Sequence, residues 1–164
     1  MRKMTQTAMI AALYAAITFA TFYMSFGAVQ FRVSEALTLL PVFTSSAIPG
    51  LSIGCALANL IGFFIGANPI GWLVAIFGTS ATLLAACATW LIGKSSNRWV
   101  RYLLAPLPPV LFNAVIVGLE ITFLVGGTDA APSLLLFTTN AVSVFIGQAV
   151  ICYGLGIPLM LVLS

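Results

Sequence analysis

Histidine is absent from this chain, and charge is scarce: six basic and three acidic residues among 164. A soluble domain of this length carries about a quarter charged residues in its polar shell. That shell cannot be built here. With a mean hydropathy of +1.17, the chain must be solvated by lipid. Without His, Ser–His hydrolysis and catalytic zinc sites lose their usual parts. Asp129 is the only Asp, so an aspartyl dyad within one chain is excluded. Cys55, Cys87 and Cys152 all lie in apolar runs, and an odd set of such thiols is no disulfide framework. The longest polar stretch, 93–101, is too short to fold alone, so 1–164 reads as a single membrane domain. Five of the six basic residues fall in two short clusters at membrane edges, which argues against nucleic acid as a partner.

What is present is a series of long apolar runs. Six spans are expected, at about 4–25, 33–46, 49–65, 69–92, 102–125 and 132–164. The first follows MRK like a signal peptide. It exceeds an h-region of about 7–15 residues and reads as an uncleaved helix. Gly, Pro, Asn and Ser clusters separate the spans, as turns require. A crossing needs about 20 residues, so the second span is short. Charge supports counting it. Arg2 and Lys3 form one basic cluster, and Lys94, Arg98 and Arg101 the other. Both belong on the cytoplasmic side, which requires an even number of crossings between them. The expected fold is an all-α integral membrane protein of six transmembrane helices with both termini inside. Arg32, Glu35, Asn68, Glu120 and Asp129 then fall in the outer half. Trp90 and Trp99 flank the inner basic loop, as interfacial anchors do.

Two small-residue stripes stand out. Ala8, Ala12, Ala16 and Ala20 recur every four residues in the first span, with Ala11 and Ala15 beside them. Gly50, Gly54, Ala58, Gly62 and Gly66 do so in the third. Such strips let helix backbones approach closely in lipid. The third-span stripe reads as internal packing. The first-span stripe reads either as packing or as a docking surface for another membrane subunit.

Polar groups inside the spans suggest a binding site. Glu120 lies roughly 8 Å below the outer end of the fifth span, where a carboxylate needs a partner or a wet cavity. Asn113 is two turns below it. Asn140 lies roughly 12 Å deep in the sixth span. Trp72 and Thr79 are two turns apart on one face of the fourth. Together these residues describe a pocket of one carboxylate, two amides, a hydroxyl and an aromatic face, suited to a planar heterocycle with N–H donors. The bland alternative is that Asn113, Thr79 and Gln148 join helices and Glu120 reaches the interface. Arg32 and Glu35, three apart, form a helix-end ion pair or close the pocket mouth. Residues 88–95, ATWLIGKS, imitate a phosphate-binding loop. They hold one Gly and end a membrane helix, so ATP binding is not expected.

The segment FRVSEALTLLP at 31–41, with the Ala-striped first span, resembles the QueT family over essentially the whole chain. The resemblance implies an S component of an energy-coupling factor (ECF) transporter. It implies a six-helix membrane protein of the bacterial cell membrane that binds a queuosine precursor, a 7-deazaguanine. It implies docking on a membrane coupling protein, the T component, and two cytosolic ATPases. It further implies release of substrate by toppling of the whole subunit in the membrane. Ala8, Ala12 and Ala16 would then occupy the docking motif, and Arg32, Ser34 and Glu35 the characteristic segment. No enzymatic activity or cofactor is expected of the chain itself. The alternatives are a structural subunit without a ligand, or a stand-alone ion-coupled carrier. A carrier of that kind usually shows internal repeats, and the two halves show no convincing one.

The topology has a direct check. In cysteine-accessibility labelling from outside, Asp129→Cys should react and Ser96→Cys should not. Labelling of both from one side would defeat the six-span arrangement.

Overall fold

The computed structural model describes residues 2–25, 31–66, 72–125 and 133–164. Asn68 and Asp129 lie outside the described residues. Helix α1 spans Arg2–Ala20 and α2 spans Phe22–Ser25. A 3-10 helix covers Val33–Val42. Then come α3 (Ala47–Phe64), α4 (Trp72–Gly93), α5 (Arg98–Leu104), α6 (Leu107–Glu120), α7 (Leu134–Ile151) and α8 (Ile157–Leu163). One π turn, Ile121–Val125, extends α6, and another, Cys152–Gly156, joins α7 to α8. No strand occurs among the described residues.

Local chemistry sets several of these boundaries. Asn97 caps α5 by accepting from the Trp99 amide, and Ser133 caps α7 by accepting from the Leu136 amide. Pro108 and Pro109 sit in the first turn of α6, where their missing N–H groups are not needed. At Thr21, between α1 and α2, the side chain bonds back to the Ile17 carbonyl.

Four helical stretches are long and apolar enough to cross a membrane: Ala47–Phe64, Trp72–Gly93, Arg98–Phe123 and Leu134–Leu163. They match four of the six expected spans. The first span is helical as expected, although its opening turns carry Arg2, Lys3 and Gln6. The second differs most. It is ten residues of 3-10 helix and covers roughly 20 Å at about 2 Å per residue, short of a bilayer core. Every residue from Ser34 to Leu39 is buried. Protein rather than lipid surrounds this segment, and irregular backbone is tolerated at membrane depth under that condition.

Consecutive helices run back and forth. Thr7 Oγ1 donates to the Ser46 carbonyl at 3.1 Å, and Tyr102 Oη to Ser164 Oγ at 3.0 Å. Gly93 packs on Val42. These contacts gather the start of α1, the close of the 3-10 helix, the end of α4 and the C-terminus at one end of the bundle.

The third-span stripe is internal packing, as expected. A Cβ on Gly54 would stand 2.8 Å from the Ala11 carbonyl oxygen and 2.8 Å from Tyr14 Cβ. A Cβ on Gly50 would stand 2.9 Å from the Thr7 carbonyl oxygen. Around this seam Tyr14, Leu51, Cys55, Ala58 and Ala86 are fully buried. The first-span stripe splits: Ala11 is buried against α3, whereas Ala8, Ala12, Ala16 and Ala20 are exposed. Gly54→Val should force α1 off α3, at a cost of about 1–3 kcal/mol. Its thermal midpoint in detergent should fall well below that of Gly154→Ala, a site with nothing within 4 Å. Equal midpoints would show that the seam tolerates a side chain.

Candidate functional site

The interior of the bundle is polar at one level, and the 3-10 helix supplies its centre. Glu35 is wholly buried. Tyr14 Oη of α1 donates to its Oε1 at 2.5 Å, and Asn113 Nδ2 of α6 to its Oε2 at 3.3 Å. The Glu35 carbonyl accepts from Thr38 Oγ1 at 2.5 Å. Arg32, 7 % exposed, donates through one terminal nitrogen to Asn59 Oδ1 at 3.3 Å and points the other at Cys55 Sγ, 3.8 Å away. Thr82 of α4 also donates to Cys55 Sγ, at 3.4 Å. Asn59 turns its amide toward the Val74 carbonyl at 3.5 Å. A side chain at Gly78 would stand 2.8 Å from that amide nitrogen, so glycine leaves room for it. Next door, Thr18 and Ser34 share a hydroxyl bond of 2.7 Å.

Glu120 closes α6 and is 6 % exposed. Its Oε2 is buried and has no hydrogen-bond partner. Arg32 is within electrostatic reach of both Glu35 and Glu120. Both acidic side chains among the described residues are thus grouped with one guanidinium inside the bundle. Glu120 also lines a half-open cavity of about 510 Å³ between α4 and α6, walled by Ile76, Phe77, Ser80, Ile116, Leu119 and Phe123. Beyond Glu120 the chain enters a π turn. There Thr122 Oγ1 donates to the Gly118 carbonyl at 2.7 Å and accepts from Asn140 Nδ2 at 3.1 Å. A π turn changes the register of the side chains that follow it, and such turns are frequent at functional sites.

The seven residues expected to bind substrate fall into three groups. Arg32, Glu35 and Asn113 meet in the buried cluster. Glu120 stands beside it, and Asn140 reaches the same level through Thr122. Trp72 and Thr79 line a separate groove of about 470 Å³, which shares Ile76 and Ser80 with the Glu120 cavity. Trp72 is 61 % exposed, while Thr79 Oγ1 is buried without a partner. Arg32 and Glu35 are therefore interior groups and not a surface ion pair. Asn113 is committed to Glu35. Gln148 is buried on α7 beside Cys152.

Sequence reading missed Tyr14, Asn59, Cys55 and Thr82. Asn59 carried a signal, because it is the one amide within the glycine-striped α3. Tyr14 and Thr18 carried another, since they lie one turn apart with Ala11 on a single face of α1. The phosphate-loop lookalike ends α4, where carbonyls rather than amides point outward.

A carboxylate with one oxygen that has no donor, on a residue that lines a cavity, can receive a ligand that brings N–H donors. The model of one known family, described as QueT transporter, matches residues 4–164. Neither a curated protein nor a solved structure matches the chain. A match over essentially the full length agrees with apolar crossing helices built around buried charge, and the chain belongs to the QueT transporter family.

Proposed function

We propose that the chain is the S component of an ECF importer and captures a queuosine precursor of the 7-deazaguanine type from outside the cell. The observation that supports this reading is the buried Glu120 oxygen without a partner, on a residue that lines a cavity and lies within electrostatic reach of Arg32. Ionisable groups at membrane depth are costly and mark substrate paths. A deazaguanine presents a ring N–H and an exocyclic amine side by side. A carboxylate accepts both at once, and a charged acceptor makes such bonds stronger. In this reading Glu120 holds that edge. Arg32 and Glu35, with Asn113, set the field behind it. Asn140 bonds the ring carbonyl, and Trp72 and Thr79 line the approach, where the indole stacks on the ring.

The whole chain acts as one membrane domain in the bacterial cell membrane. It makes six crossings, with α1 and the buried 3-10 segment completing the four long stretches, and both termini face the cytoplasm. ATP hydrolysis belongs to two partner ATPases, and a membrane T component links them to this subunit. The docking face is the exposed row Ala8, Ala12 and Ala16, which α3 leaves uncovered. Toppling of the docked subunit releases the base inside.

Two measurements test the reading. Glu120→Gln keeps the shape but turns one acceptor into a donor. Losing one charge-assisted bond of about 1.5–3 kcal/mol should weaken deazaguanine binding roughly 10- to 150-fold by isothermal titration. Equal affinities for the variant and the native chain would remove Glu120 from the site. Ala12→Trp should leave binding by the isolated chain intact and abolish uptake by the full transporter. Unchanged co-purification with the coupling subunit would defeat the docking assignment.

A further inference from the structure

A second cavity lies at the opposite end of the α4–α6 seam. It measures about 420 Å³ and is lined only by apolar side chains, among them Ala88 and Ile92 of α4 and Leu107, Leu111 and Val115 of α6. Leu104 of α5 closes one end. From Leu104 to Val115 the helices rise roughly 16 Å, comparable to an extended acyl chain. Leu111 and Val115 are 46 % and 50 % exposed, so the groove opens sideways to the surrounding hydrocarbon.

The end of this groove is basic. Leu104 follows Arg101 by one turn of α5. Arg98 and Arg101, three apart, share a side of that helix. Arg101 Nε is buried and has no hydrogen-bond partner. Lys94 Nζ stands 3.5 Å over the Trp90 ring, on the face of α4 opposite Ala88 and Ile92, so it takes no part in the groove. No acidic residue occurs between Glu35 and Glu120 in the sequence, so no carboxylate from this stretch competes for these cations. Trp99 is 74 % exposed beside them, at a level suited to a membrane–water interface.

We infer that this groove and its two arginines form a binding site for an anionic phospholipid, with one acyl chain in the groove and the phosphodiester against Arg98 and Arg101. The shape selects a chain and the charge selects an anion. A zwitterionic headgroup of the same length would bring its own cation into the cluster. Basic pockets at the inner ends of membrane helices recognise anionic headgroups in this way.

The test uses the detergent-purified full chain titrated with dioctanoyl phosphatidylglycerol, followed by thermal unfolding and native mass spectrometry. Dioctanoyl phosphatidylcholine and glycerol phosphate are the comparison probes. Phosphatidylglycerol should raise the midpoint and remain as an adduct, while the two comparison probes should do neither. Arg101→Gln should weaken the effect about fivefold, and Arg98→Gln/Arg101→Gln should weaken it further, while Lys94→Gln should leave it unchanged. Leu111→Trp, which fills the groove, should displace the adduct. Equal stabilisation by phosphatidylcholine would reduce the site to an unselective apolar groove. Equal stabilisation by glycerol phosphate would make it a plain anion site. Unchanged binding in the arginine variants or in Leu111→Trp would overturn the assignment.

Discussion

A buried carboxylate with both oxygens occupied is the constraint around which the bundle is organised. Glu35 sits where water cannot reach it, and an ionisable group there is tolerated only with partners. Tyr14 and Asn113 supply them from two different helices. Each bond to a charged group contributes about 1.5–3 kcal/mol, and leaving the acceptor unpaired would cost at least as much. Glu35 therefore draws α1 and α6 onto the same segment. That segment can be a short 3-10 helix because its neighbours bury seven of its ten residues.

Close approach of backbones makes the enclosure possible. Gly50 and Gly54 let α1 lie directly against α3, which carries Tyr14 inward to Glu35. Gly118 lets α7 approach α6 at Ala141, bringing Asn140 to Thr122. Hydrocarbon offers no hydrophobic drive between helices, so packing and interhelical hydrogen bonds must hold them together. Here the two work together. The glycines set the spacing at which the polar bonds can form, and the polar bonds fix the register of the glycine seams.

Much of this was legible in the sequence. Scarce charge and long apolar runs announced membrane helices, and the stripe Gly50–Gly54–Ala58 announced a seam. Glu120 was conspicuous as an acid within an apolar span. Three-dimensional partnership was not legible. Arg32 and Glu35 lie three apart, which on a helix suggests a pair, yet each is partnered across the bundle, with Asn59 and Tyr14. Asn113 and Glu120, two turns apart on one helix, suggested a shared pocket, but Asn113 turns to Glu35. Hydropathy also could not reveal that residues 33–42 are covered by protein. A segment buried in lipid and one buried in helices read alike, because both surroundings are apolar.

The contrast between the two described acids bears on how such a core can serve transport. Glu35 is satisfied by the protein, and its role is complete without a ligand. Glu120, near the same guanidinium, keeps an oxygen for which the chain supplies no donor. An unpaired acceptor lowers stability, and a ligand that pairs with it recovers that loss on binding. In the proposed reading, Glu35 holds the fold and Glu120 meets the ligand, two tasks that one group could not perform together. Glu35 fixes the geometry of the 3-10 helix, and this holds Arg32 in place. Burial and, after it, the Arg32 charge define the surroundings of Glu120. Helix α1 joins the arrangement through Tyr14 on its inner face, while its Ala8–Ala12–Ala16 row remains exposed. One helix therefore carries both the clamp on Glu35 and the surface proposed for docking, so a tilt of α1 would bear directly on the Tyr14–Glu35 bond.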